Sequence, residues 1–217
     1  MNKSIIDVKL VAVKAFDLQW REAQFYKLKL ENMKLKNKII LLRIYYDTLE
    51  GKILNNKELS KFFKLWRFVK QGGVLSGSLF NFFINDLIEF CCNANIGASF
   101  MELVVCILVF CDDICLLSDS IEEMQLLLNL CEEFAMKWGL EFNLEKCKYI
   151  VFGKKNIDNI ILKLNNQLIS FTDCFKYLGL EFNAKLDMSS FFIKKFQNVK
   201  NSFFSLNSFG WLGGISF

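Results

Sequence analysis

The sequence predicts an α+β domain, an antiparallel sheet backed by helices. Strand-like and helix-like stretches are mixed along the chain. Two adjacent aspartates, Asp112 and Asp113, fall at a turn between two short apolar runs that read as strands. The helix that follows them carries the clearest start and stop signals in the chain.

Taken in order, "SIIDVKLVAVKAF" is β-branched and apolar, which favours a strand. "DLQWREAQFYKLKLENM" and "LKNKIILLRIYYDTLE" mix apolar residues with good helix formers and read as helices. A glycine-bearing loop, "KQGGVLSGS", leads into "LFNFFINDLIEF", a mostly buried helix on which Asn81, Asn85 and Glu89 make one polar stripe. "LVVCILVF" and "ICLLS" are the two strands around the aspartates. Ser120 and Glu123 then form a capping-box pattern, and Gly139 suits the helix stop. Between them Ile121, Met124, Leu127, Leu128, Cys131, Phe134, Ala135 and Trp138 line one apolar face. "KYIVF" is a further strand, "NIILKLNNQLISF" a hairpin around Asn165 and Asn166, and the last stretch is helical.

With 217 residues, 53% of them hydrophobic, and 24 Phe, the chain can bury a sizeable core and is not a disordered one. A net charge of +4 leans only mildly toward polyanionic partners. Eight cysteines without CxxC spacing, and no histidine, favour buried reduced thiols over a disulfide framework or a zinc site. They also exclude Ser-His and Cys-His catalysis. The most apolar window, Leu103 to Cys111, is too short to span a bilayer, and no signal-peptide layout is present, so an intracellular protein is expected.

The aspartates need an explanation, because residues 103–117 carry no other charge. Carboxylates side by side repel, and burying them is expensive. A hairpin tip reaches solvent, and a divalent cation would relieve the repulsion by taking their oxygens as hard ligands. One or two Mg²⁺ held in this way activate a hydroxyl and stabilise charge during phosphoryl transfer. An Asp-Asp pair alone more often only solvates a turn.

Here the pair has company. Phe110, Cys111, Asp112 and Asp113 resemble the catalytic hairpin of reverse transcriptases: an aromatic, a variable residue and two aspartates. "QGGVLSGSLFNFFINDLI", "GLEFNLEKCKYIVFG" and "FKYLGLEF" resemble three more segments of that family, in the order and spacing of non-LTR retrotransposons, over about Asp7 to Phe182. The resemblance implies a palm-like core over about residues 5–182, followed by the start of a helical thumb-like segment at 183–217. The fingers would be largely missing and the thumb incomplete. It also implies an RNA template, a DNA primer, deoxynucleoside triphosphates, Mg²⁺ or Mn²⁺, and no membrane. By the same resemblance Asp112, Asp113 and Asp7 are the expected metal ligands, and Lys146 would neutralise or protonate the leaving pyrophosphate. Phe16, Gln71 and Gly72 would contact nucleotide or template, and Tyr177, Leu178 and Gly179 would support the primer.

Three departures stand out. The family places a third aspartate five residues before the aromatic of a Lys-Ala-Phe-Asp run; that run is Lys14 to Asp17, and five residues before Phe16 stands Val11. Asp7 lies four residues too early, as though "LVAV" had been inserted, and four residues of strand shift the chain by about 13 Å. Asp17 itself has a simple helix-capping role. Gly77 replaces the proline usual after Leu-Ser, which predicts a looser loop. Finally, the sequence begins almost at the first catalytic strand, and so reads as a piece of an element's polymerase. Little or no activity is expected from it alone. The alternative is a non-catalytic nucleic-acid-binding remnant, using Lys185, Lys194, Lys195 and Lys200 for phosphates, or a decayed fragment.

Overall fold

The computed structural model describes residues 4–31, 36–67, 70, 72–153 and 160–208. At its centre is a five-stranded sheet. Its strands are β1 (Ile5–Val11), β2 (Ile107–Phe110), β3 (Asp113–Ser118), β4 (Lys148–Phe152) and β5 (Ser170–Phe171), in the spatial order β5-β4-β1-β3-β2. All neighbours are antiparallel except β4 and β5. A separate hairpin, β6 (Cys174–Tyr177) and β7 (Leu180–Asn183), follows.

The helices are α1 (Ala15–Leu18), α2 (Arg21–Glu31), α3 (Lys36–Asp47), α4 (Ser76–Asn93), α5 (Ile121–Trp138) and α6 (Ser189–Ser208). One face of the sheet is apolar by strict alternation: Ile6, Val8 and Leu10 of β1 and Ile114 and Leu116 of β3 are fully buried. Against it pack Phe80, Phe83, Ile84 and Leu87 of α4 and Met124, Leu127, Leu128 and Phe134 of α5. A second cluster of Phe25, Ile39, Tyr46 and Leu79 joins α2, α3 and α4.

Helix α5 follows the expected pattern, with Ser120 Oγ accepting from the Glu123 amide at 3.3 Å and Gly139 closing the helix at φ 66°. The reciprocal half of the capping box is rerouted. Glu123 Oε2 takes the Ser118 hydroxyl at 3.0 Å and the Gly97 amide at 3.3 Å, while the Ser120 amide goes to Ser118 Oγ at 3.1 Å. The Asn165-Asn166 hairpin forms, with both asparagines left-handed (φ 51° and 60°) as a two-residue turn demands.

Two expectations are corrected. The helix read from Asp17 onward breaks at Gln19, whose ψ of 127° is extended, so Asp17 sits inside the short α1 and the cap position belongs to Lys14, at φ 42°. Residues 50–64, beyond the helix read as ending at Glu50, form two small ribbons, Glu50–Gly51 with Phe63–Lys64 and Leu54–Asn55 with Glu58–Leu59.

Between α2, α4 and α5 lies a buried cation. Lys27 is 3% exposed, pairs with Asp86 at 2.9 Å and donates to the Phe83 carbonyl at 2.6 Å. Its ammonium stands 4.1 to 4.9 Å from the ring centroids of Trp138, Phe83 and Phe134. Burial pulls its pKa down and Asp86 pushes it back up. Asp86→Ala would strand that charge and should cost about 3 kcal/mol, whereas Lys27→Met, of similar volume, should cost less than about 1 kcal/mol. Urea denaturation of both variants measures this; a larger loss for Lys27→Met would contradict it.

Candidate active site

The β2–β3 hairpin places the aspartates where the sequence put them. Phe110 pairs with Asp113, leaving Cys111 and Asp112 as the two turn residues, with Cys111 left-handed at φ 51°. Both aspartates are half-buried. The Asp112 carbonyl accepts from the Ala12 amide at 3.4 Å, tying the tip to the end of β1.

Across the sheet, β1 pairs Val11 with Asp113, Lys9 with Cys115 and Asp7 with Leu117. Because side chains alternate, these odd-numbered residues share the face opposite the helices. The residue beside Asp113 is therefore valine. The strand runs unbroken through Val11 and Ala12 bridges to Phe142, so Leu10 to Ala12 are not looped out, and the turn begins at Val13. Phe16 is half-buried in α1 with its ring 5.2 Å from that of Phe80. Asp7 pairs with Leu117, four positions before Val11 on β1.

Lys9 stands between them. Its Nζ is 3.1 Å from Asp113 Oδ1, donates to the Lys176 carbonyl at 2.7 Å and lies 6.0 Å from the Tyr177 ring. A cation thus already sits on Asp113, an arrangement that sequence reading missed. The signal was present: Lys9 is two residues from Asp7 and shares its face of the strand.

Asp7 itself is 7% exposed. It lines a cavity of about 290 Å³ with Ile5, Cys115, Phe175, Tyr177 and Phe182, between the sheet and the β6–β7 hairpin. The Cys115 thiol bonds to its carboxyl, while Oδ1 has no partner. Burial pushes its pKa up to about 7, against smaller opposing effects of Cys115 and Lys9. Tyr177 is pushed up to about 12, first by burial and then by the nearby Cys115, Asp113 and Asp7.

The remaining expected residues are spread around this face. Lys146 lies in the exposed turn before β4; the Asn143 amide of the same turn bonds to the Val11 carbonyl at 2.8 Å, so Lys146 is at the aspartates' end of the sheet. Leu178 and Gly179 form the β6–β7 turn at φ 48° and 84°, with Tyr177 just before them. Gly72 is an exposed turn residue at φ 73°, and Gln71 lies outside the described residues. Gly77 is already within the first turn of α4, so it does not loosen the loop before it.

The family model for reverse transcriptase (RNA-dependent DNA polymerase) matches residues 1–182. The chain belongs to the reverse transcriptase family. It is 26% identical over 205 residues to the RNA-directed DNA polymerase from mobile element jockey of Drosophila funebris, covering 91% of this chain and 21% of that protein. The jockey polymerase of Drosophila melanogaster is also 26% identical, over 141 residues, covering 62% and 14%. The chain therefore spans about a fifth or less of the length of these curated relatives. Among solved structures it resembles apo telomerase from Candida tropicalis truncated from its C-terminal domain, with a TM-score of 0.59 at 17% identity, over 85% of this chain and 35% of that one. Telomerase from Candida albicans gives 0.58 at 13%, over 85% and 30%. These likenesses establish the polymerase palm-like fold.

Reverse transcriptases generally use divalent metals. The side chains here do not fit one: Val11 has no oxygen to offer beside Asp113, Lys9 neutralises that carboxylate, and Asp7 is turned to an apolar cavity. Among the described residues, no three Asp, Glu, Cys or His could hold a metal together. Nor is any described helix long and apolar enough to cross a membrane.

Asp7 makes stability depend on pH. Its folded pKa of about 7 exceeds the ordinary 3.8, so the folded state holds the proton more tightly. The stabilisation is complete below about pH 4 and is lost as pH rises through about 7. Asp7→Asn should therefore be more stable than the parent at pH 8, by a few kcal/mol at most (~1.4 kcal/mol per pKa unit), with the gap closing at low pH. Denaturant titrations at pH 4 and pH 8 test this, and a pH-independent difference would contradict it.

Proposed function

We propose that the chain is the palm portion of an RNA-directed DNA polymerase of a non-LTR retrotransposon. In this reading it takes an RNA template and a DNA primer across the sheet face that carries Lys9 and Asp113, beside Tyr177 of the β6–β7 hairpin. Deoxynucleoside triphosphates would enter beside Phe16 and Gly72, Leu178 and Gly179 would support the primer end, and Lys146 would face the leaving pyrophosphate. As written, the chain binds nucleic acid in this cleft but transfers nucleotides poorly or not at all. The pairing of Val11 with Asp113 carries this conclusion. A two-metal displacement needs carboxylates from both strands, and one hairpin cannot surround two ions.

The chain's own groups support binding better than transfer. Lys9, with Lys148 beside it across the sheet, supplies positive charge on the face where a phosphate backbone would lie. The Lys9 ammonium also relieves Asp113 of the repulsion that a metal would otherwise relieve.

Primer extension with Mg²⁺ tests the reading, using the chain fused to intact fingers and thumb of a related polymerase. The parent fusion should bind primer-template in a salt-sensitive way and show no extension above background. Deleting Leu10 to Val13 removes an even number of residues, so side chains keep their faces, and Asp7 moves to the place of Val11. Extension should then appear. Val11→Asp, which adds the carboxylate without shifting the strand, should give a weaker gain while Lys9 remains. Equal extension with and without "LVAV", at matched and verified folding, would overturn the account of this strand.

A further inference from the structure

Away from the aspartates, four cysteines from three elements meet at one end of the fold. Cys91 and Cys92 are on the last turn of α4, Cys131 is on α5, and Cys106 immediately precedes β2. Cys91 and Cys131 are fully buried and bonded to each other, and that bond, with burial second, pushes the Cys131 thiol well up. Cys92 is exposed, and the buried Cys106 thiol points at it, with an Sγ to Sγ distance of 3.8 Å.

No three of these sulfurs form a group that could hold a metal, so the cluster is two thiol pairs and not a metal centre. The pairs differ in access: the inner one is sealed, whereas the outer one has one sulfur in solvent and one behind it. Cys106 is firmly placed. Its carbonyl accepts from the Leu117 amide at 2.8 Å, and Gly97 packs so closely that a Cβ there would lie 2.9 Å from Cys106 Cα. Cys92 is exposed on the last turn of α4, and the approach left to disulfide length is about 1.8 Å.

We propose that Cys92 and Cys106 form a reversible thiol–disulfide exchange site for low-molecular-weight disulfides of the glutathione class. Cys92 as thiolate attacks one sulfur of the small disulfide; that S–S bond breaks, and the departing thiolate takes up a proton. Cys106 then loses its proton and attacks Cys92 Sγ of the mixed disulfide, and the second small thiolate departs and is protonated. Two protein thiols give up two electrons and two protons, and the small disulfide receives both. Cys92 attacks first because it is exposed, whereas burial and the neighbouring Cys92 and Cys91 sulfurs raise the Cys106 pKa. The bond would fasten the end of α4 to the strand that leads, four residues on, into the turn of Phe110 to Asp113. An intracellular disulfide of this kind is a redox-sensing bond, not a structural one.

The test treats the full chain with oxidised glutathione, blocks the remaining thiols by alkylation and maps the digest by mass spectrometry. One cross-linked peptide pair joining Cys92 to Cys106 is expected, reversed by dithiothreitol, with Cys91 and Cys131 unmodified. The melting temperature should rise on oxidation in the parent and not in Cys92→Ser, an exposed and mild change. Cys106→Ala should stop at a stable glutathione adduct on Cys92. A Cys92 adduct without cross-link in the parent, a cross-link through Cys111 or Cys174 instead, or no reaction at all would each overturn the proposal.

Discussion

The two-sided pleat of β1 governs everything around the candidate site. Ile6, Val8 and Leu10 are fully buried against α4 and α5, so the strand cannot slip by one residue without turning three apolar side chains out and Asp7, Lys9 and Val11 in. Fully burying each such side chain is worth about 2 kcal/mol, so a one-residue slip would cost several. A four-residue shift keeps the faces, but moving Asp7 to the place of Val11 would bring Asn2 and Ser4 to the buried places of Ile6 and Val8. The core thus holds the register that puts Val11, and not Asp7, beside Asp113.

A polymerase palm-like fold and a valine beside Asp113 therefore coexist in one chain. The apolar stretch "LVAV" is good strand and poor loop: Leu10 and Val11 lie in β1 and Ala12 bridges to Phe142, with no bulge between them. The cost appears on the open face. Asp7 lies under the β6–β7 hairpin in apolar surroundings, where it holds its proton to about pH 7. Lys9, two residues on and on the same face, reaches Asp113 and becomes its partner. A protonated carboxyl and a neutralised one are a stable resting arrangement for groups that, placed together and ionised, would need a metal to coexist.

Much of this was legible beforehand, for local reasons. Ser120 and Gly139 bracket α5 because capping and left-handed stops are chemistry of single residues, and Asn165-Asn166 makes its turn for the same reason. The aspartates are at a tip because an uninterrupted apolar run has nowhere else to put them. What was not legible depends on partners distant in sequence. Glu123 forgoes the Ser120 amide because Ser118 and Gly97 offer alternatives 5 and 26 residues away. The helix break at Gln19 comes where Gln19 and Gln24 bond to each other beside the buried Arg21, whose guanidinium reaches the Tyr46 and Leu65 carbonyls. The Lys9–Asp113 pair exists only once β1 and β3 are in register.

The β6–β7 hairpin closes the reasoning, because it sits over the odd face of β1 and is held by the same lysine. Lys9 bonds to the Lys176 carbonyl, and Phe175, Tyr177 and Phe182 roof the cavity above Asp7. One side chain therefore joins the aspartate hairpin to the hairpin expected to support a primer. Lys9 is the shared contact of the two hairpins: its ammonium pairs with Asp113 Oδ1 on one side and donates to the Lys176 carbonyl on the other, so the face that carries the aspartate and the hairpin that covers it are joined at one charged group.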